Sequence, residues 1–218
     1  MKETPKQTAL EARETKGEKL FSPSAARNGD PIRDVFLKHM PAEGRYLEVG
    51  AGTGEHAVHI VSALPEAHWL TGDPDAAACA SISAWIADAG LPNLAGPHTI
   101  DVTKENWGVE DNAPFHGVVS INMIHIAPFE AAQGLFKGAG RLLTGGGKLF
   151  LYGPFKRRSV HHAASNQSFD ENLKSRDPRW GVRDLDLELM PLAQANGLTL
   201  EMVVEMPANN FSVIFRKT

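Results

Sequence analysis

Cysteine is almost absent from this chain. Cys79 is the only one among 218 residues, which excludes an internal disulfide framework and a four-cysteine zinc site. It sits in the apolar run Ala76-Ala77-Ala78-Cys79-Ala80 and reads as a core thiol, not a nucleophile. Its scarcity fits a reducing, cytoplasmic setting. No apolar stretch approaches the ~20 residues of a membrane span, so no membrane association is expected. The first twenty residues are charged and lack an apolar run, so no secretory leader is expected. Cations are not in excess either: 22 Lys and Arg face 26 Asp and Glu, a net charge of −4. That removes the overall basic footprint of a nucleic-acid binder and leaves only a local patch possible. His161 and His162 are adjacent, so their side chains diverge and make no metal site. No internal repeat is visible. What the chain does have is 42% apolar residues, enough for the core of one large domain.

The stretch from Arg45 to Ala57 organises the rest. Tyr46, Leu47 and Val49 give it strand character, and Gly50, Gly52 and Gly54 let the backbone turn sharply and approach a ligand. Helical apolar spacing follows at Ala57, Ile60, Val61 and Leu64, and Pro65 ends it. A strand-turn-helix of this kind seats a nucleotide-like ligand at the carboxyl end of a sheet. The pattern is Gly-x-Gly-x-Gly, with Glu55 where a dinucleotide fingerprint needs its last glycine. Glu48 precedes the turn, and no Lys or Arg lies between Glu48 and His59. An acidic mouth is poor for a pyrophosphate and suits a ligand with an amino group and a positive sulfur. A tight turn with no ligand is the plain alternative.

Residues 1–20, rich in Lys and Glu, read as a mobile tail or loose helix. Asp30 and Pro31 predict a helix start, with Ile32, Val35, Phe36 and Met40 on its apolar face. Arg27 and Asn28 precede it in a turn-rich stretch that reads as a surface loop. Trp69 and Leu70 read as a second strand. Asp73 follows, where an acid can accept hydrogen bonds from two ribose hydroxyls. Asp75 competes for that role and could instead cap the next helix, Ala76 to Ala89, stopped by Gly90 and Pro92. Thr99 to Thr103 looks like the end of a third strand, with Asp101 either on a ligand or capping the following turn. Phe115 to Ile121 suits a strand buried on both faces. It leads into Asn122 and His125, whose imidazole range would allow a base role. Phe129 to Leu143 is a helix and Lys148 to Tyr152 a fifth strand. Lys156 to Asp184 is a polar insertion at the open end of the sheet, with a short helix around Phe169 to Leu173 capped by Ser168. Leu185 to Asn196 is the last helix, and an antiparallel hairpin turning at Pro207 to Asn210 ends the chain.

The strand order, the Glu48 to Gly54 motif, Asp73, Asp101 and the terminal hairpin resemble class I S-adenosylmethionine (SAM)-dependent methyltransferases. The resemblance implies an α/β, Rossmann-like fold: a mostly parallel seven-stranded sheet with helices on both faces. A closer likeness is to the methyltransferase-like protein 26 group. It rests on Ser22 to Asn28, Ile121 to Ile126, Tyr152 to Phe155, Arg176 to Gly181 and Met206 to Asn210. Ala51 stands where that group often has serine, a change the turn tolerates. The likeness implies one methyltransferase domain over 21–218, with 156–184 as a lid or acceptor loop. It implies SAM as cofactor, held by Arg27, Asn28, Glu48, Gly50, Gly52, Gly54, Asp73, Asp101, Val102 and Asn122. There Asp101 would accept the adenine amino group and the Val102 backbone would meet the ring. His125, Tyr152 and Asp170 are candidates for general-base help. No metal and no nucleic acid is expected, and the acceptor is expected to be a small molecule methylated at N or O. Two rivals remain: a SAM- or S-adenosylhomocysteine-binding protein without transfer activity, and a nicotinamide-dependent oxidoreductase, against which Glu55 and the hairpin speak.

Overall fold

A computed structural model of the chain describes residues 13–218. The expected tail therefore divides: residues 1–12 lie outside the described residues, and the rest is ordered. Strands β1 (Glu14–Lys16) and β2 (Lys19–Phe21) pair as a small antiparallel hairpin, which corrects the tail expectation for that stretch.

Helix α1 (Pro23–His39) starts well before the expected point. Ser22 caps it, its Oγ accepting from the Ala25 N–H at 3.3 Å, and Pro23 takes the first helical position. Asp30-Pro31 repeats the same signal downstream, but the helix is already running there. Pro31 sits inside it at the cost of a backbone hydrogen bond. Asp30 turns outward, 2.8 Å from Arg33 and 2.9 Å from His59.

The chain then alternates. It forms β3 (Gly44–Val49), α2 (Glu55–Val61), β4 (Ala67–Gly72), α3 (Ala76–Ala89), β5 (Leu94–His98) and β6 (Phe115–Ile121). Next come α4 (Phe129–Leu142), β7 (Leu143–Gly153), β8 (Lys156–Arg157), β9 (Val160–His161) and α5 (Ala164–Arg176). A wide helical turn, Leu185–Leu189, leads into α6 (Met190–Ala195), β10 (Leu198–Met206) and β11 (Asn210–Lys217). Among the described residues seven strands make one sheet in the order β10-β11-β7-β6-β3-β4-β5. The five from β7 to β5 are parallel, and β11 lies antiparallel between β7 and β10. The expected architecture, with the last strand beside the fifth long one, is what forms.

Both faces are covered, which is why the central strands read as unbroken apolar runs. Tyr46, Trp69, Phe150 and Ile214 pack under Phe36 of α1 and Ile60 of α2. Leu47, Val118, Leu149 and Phe215 pack under Leu135 and Phe136 of α4 and Ala193 of α6. Tyr46 and Trp69, opposite one another in register, stack with centroids 5.2 Å apart. Two further expectations need correcting. The strand β5 ends at His98, so Thr99 to Thr103 is loop. The helix in the insertion is longer than expected and begins at Ala164; Ser168 lies inside it, its hydroxyl donating to the Ala164 carbonyl. A hydroxyl that bonds back one turn is satisfied within the helix and caps nothing.

Candidate functional site

The turn after β3 needs its glycines for geometry. Gly50, Gly52 and Gly54 all have positive φ, at 67°, 60° and 90°. At Gly50 a Cβ would also stand 2.4 Å from Met123 Cγ. The turn is fastened from β4: the Gly52 N–H donates to Asp73 Oδ2 at 2.9 Å. Asp73 Oδ1 accepts the Asp75 N–H at 3.0 Å, and Asp75 caps α3 by accepting from the Ala78 N–H at 2.8 Å. The two competing acids thus split their structural work. Asp73 joins the ends of two strands and Asp75 starts a helix. Burial pushes the Asp73 carboxyl up, against the hydrogen bonds that hold it down.

A cavity of 270 Å³ opens beside this turn, at the carboxyl ends of β3, β4 and β5. Gly50, Gly52, Asp73, Asp101 and Val102 border it. Its volume lies just below the roughly 300–1,000 Å³ of small-molecule sites. The opposite wall is apolar: Met123, Ile126 and Ala127 after β6, then Pro128 and Ala131 at the start of α4. Sequence reasoning missed that wall, although an apolar run after a buried strand end was its signal. It also missed Arg13, which had been assigned to the tail.

Asp101 caps its turn and also borders the cavity. Its Oδ1 accepts from the Thr103 hydroxyl at 2.7 Å and the Thr103 N–H at 3.0 Å, which caps the turn. The Thr103 hydroxyl bond holds the carboxyl below its usual range, so it faces the cavity as an acceptor. Other expected cofactor residues stand off the wall. Glu48 is buried directly before the turn, 1% exposed, accepting from Trp69 Nε1 and Thr71 Oγ1, each at 3.3 Å. Burial pushes its carboxyl up to about 7, opposed by those two bonds. Gly54 faces α3, where a Cβ would come within 3.1 Å of Ile82 Cα. Asn122 is left-handed at φ 61° and half-buried. Its side-chain oxygen lies 3.1 Å from where a Cβ on Gly153 would stand. Arg27 is exposed and Asn28 half-buried within α1, not in a loop as expected.

None of the three candidate bases borders this cavity. His125 is fully buried; its Nδ1 accepts from the Arg183 N–H at 3.3 Å. The ring proton is then on Nε2, which has no hydrogen-bond partner among the described residues. Burial, and then the Arg183 charge, push its imidazole down to about 3. The ring is therefore held neutral and away from the cavity. Tyr152 is 2% exposed and faces α1 and α2 from the core; burial pushes its phenol up to about 12. It can donate a hydrogen bond at neutral pH but not take a proton.

Asp170 is a clamp. It accepts from Lys174 Nζ at 2.7 Å and from the Val182 N–H at 2.8 Å, with His161 Nε2 at 3.3 Å. It joins α5 to the following loop. Burial acts to raise its carboxyl, but the Lys174 and Val182 bonds outweigh it and hold the group below its ordinary 3.8. A depressed carboxyl contributes stability above its ordinary value, lost as pH falls through the lowered one. Asp170→Asn is expected to destabilise the fold at pH 7 by about 1–3 kcal/mol. Thermal melts of both proteins at pH 7 and pH 3 check this, since the gap must narrow as the wild-type carboxyl protonates.

Strand order, inserted antiparallel β11 and a glycine turn over the carboxyl ends of β3 and β4 define a Rossmann-like methyltransferase fold. Solved structures share it. An O-methyltransferase family protein from Burkholderia thailandensis superposes with a TM-score of 0.73 at 12% identity, covering 89% of this chain and 57% of that one. Human N-acetylserotonin methyltransferase in complex with SAM gives 0.71 at 12% identity, over 89% and 52%. CalO1, a methyltransferase in calicheamicin biosynthesis with S-adenosylhomocysteine bound, gives 0.65 at 17% identity, over 91% and 61%. The chain spans between half and two thirds of the length of each, and at these identities the likeness is one of fold. The chain itself belongs to the family described as protein of unknown function (DUF938), whose model matches residues 19–217. Among the described residues no helix is long and apolar enough to cross a membrane.

Proposed function

We propose that this protein binds SAM in the 270 Å³ cavity and transfers its methyl group to nitrogen or oxygen of a small molecule. One observation carries the reading. Gly50, Gly52, Asp73, Asp101 and Val102 follow three separate strands yet border one cavity at the carboxyl end of a parallel sheet. Asp73 would accept the ribose hydroxyls and Asp101 the adenine amino group, with the Val102 backbone against the ring. The reading also assigns the ammonium to Glu48 and the Asn122 amide oxygen, neither of which borders the cavity in the free protein. The sulfonium supplies an already activated methyl, so the protein's own task is to hold an acceptor in line and keep water out. The same reading takes 21–218 as one methyltransferase domain, with 156–184 covering the acceptor side. It also keeps the kinship with the methyltransferase-like protein 26 group.

Calorimetry with SAM tests it. Micromolar binding is expected; no heat and no thermal shift would end the reading. Asp73→Asn is expected to weaken that binding roughly ten- to a hundredfold, by losing a charged acceptor for two hydroxyls. An unchanged affinity would remove Asp73 from the ribose role.

A second reading is a SAM-binding protein without transfer activity. The burial of His125, Tyr152 and Asp170 away from the cavity favours it. It is distinguished by SAM binding with no methylated product across a broad panel of phenols, amines and carboxylic acids.

A further inference from the structure

Arg13 is the one cationic residue among the described residues bordering the cavity. Its Nη2 lies 3.7 Å from where a Cβ on Gly52 would stand. Its charge also acts to lower the Asp73 carboxyl. The β1–β2 hairpin carries it there and is fastened to the segments that wall the cavity. The Leu20 N–H donates to Ser81 Oγ on α3 at 2.9 Å, and Ser81 Oγ donates to the Thr53 carbonyl in the glycine turn at 2.7 Å. Trp85 Nε1 donates to the Leu20 carbonyl at 3.0 Å, and Phe21 meets the Trp85 ring edge-on at 5.1 Å. Lys19 pairs with Asp88. The Ser22 N–H donates to Glu55 Oε2 at 2.7 Å, and Thr53 Oγ1 donates to the same oxygen at 2.8 Å. Arg13 therefore approaches the mouth from an anchored element, although residues 14–21 share no local pattern with the turn.

The chemistry of the wall says what this cation is for. Asp73, Asp75 and Asp101 face the cavity. Acceptors of this kind suit hydroxyls, amino groups and positive charge. SAM at neutral pH carries a sulfonium, an ammonium and one anion, the α-carboxylate of its methionine part. Three acids would repel that carboxylate unless a cation met it. A guanidinium meets a carboxylate with two parallel hydrogen bonds, which a lysine cannot reproduce. Resting on the cofactor reading above, we propose that Arg13 is the counter-charge for the cofactor's α-carboxylate. It selects a ligand with an intact amino acid over adenosine thioethers that lack one. In the free protein the same guanidinium offsets the charge of Asp73.

Calorimetry of the full chain, Arg13→Ala and Arg13→Lys tests this with S-adenosylhomocysteine and with 5′-methylthioadenosine, which has no amino-acid part. Arg13→Ala is expected to bind S-adenosylhomocysteine about ten- to a hundredfold more weakly. Its affinity for 5′-methylthioadenosine should stay within about twofold, and Arg13→Lys should fall between. Two results overturn the proposal. One is an unchanged affinity for S-adenosylhomocysteine. The other is an equal loss for both ligands, which would make Arg13 a support of the wall. In either case a wild type that binds both ligands leaves the cofactor reading standing. A wild type that binds neither ends that reading and this inference with it.

Discussion

Glu48→Gln is expected to make the free protein more stable and, on the proposed cofactor reading, to weaken SAM binding. The carboxyl is 1% exposed, and burial raises it from its ordinary 4.5 to about 7. A raised carboxyl contributes its stability in full below the ordinary value and loses it as pH climbs through the folded one. Above pH 7 the fold carries a buried charge held by two bonds of 3.3 Å. The difference corresponds to about 3 kcal/mol at most. Glutamine keeps the oxygen that Trp69 and Thr71 donate to and removes the charge. At pH 8 its melting temperature should rise by roughly 5–10 °C, and at pH 4 the two proteins should melt together. The charge has a use if the cofactor's ammonium neutralises it. SAM should then bind the wild type more tightly at pH 8 than at pH 6, and Glu48→Gln about ten- to a hundredfold more weakly at pH 8. Melting curves and calorimetry at the two pH values check both halves. A variant that is stabilised yet binds SAM normally would leave Glu48 a buried acid without a ligand.

Glu48 also marks how far the chain can be read by eye. The alternation of strands and helices was legible because each central strand is buried on both faces, as Leu47 and Tyr46 show by packing to opposite sides. The glycine turn was legible because three positive φ values leave few other residues possible. Asp73 was legible because its work is local to a strand end. What was hidden depends on which of two equal local signals the tertiary structure uses, or on contacts between distant segments. Asp30-Pro31 reads as a helix start, but Ser22, whose N–H donates to the distant Glu55, caps the helix instead. Arg13 reaches the cavity only because Leu20 and Phe21 find α3. His125 looked available at a strand end, and the Arg183 segment, far along the chain, buries it. Cavity-lining residues held by one strand and its own turn could be named in advance. Those held by another segment could not.

Gly134→Ala illustrates the hidden kind and is expected to reverse an ordinary rule. Gly134 lies within α4, where replacing glycine by alanine usually stabilises a helix by about 1 kcal/mol. Here a Cβ would stand 2.0 Å from the Val102 carbonyl oxygen and 2.8 Å from its carbon. Both are backbone atoms, so no side chain can swing aside. Either α4 moves off the sheet or the loop holding Asp101 and Val102 does. The net cost is expected to be about 2 kcal/mol, read from the midpoint of urea denaturation. Because that loop borders the cavity, affinity for S-adenosylhomocysteine should fall at least about tenfold. Gly90→Ala is the contrast. Its φ of 59° strains an alanine, but nothing stands within 4 Å of the added carbon. It should cost about 1 kcal/mol and leave binding unchanged. If Gly134→Ala were as stable as the wild type and bound equally well, α4 would have room to slide. The close approach of helix to loop would then not set the position of the Asp101–Val102 side of the cavity.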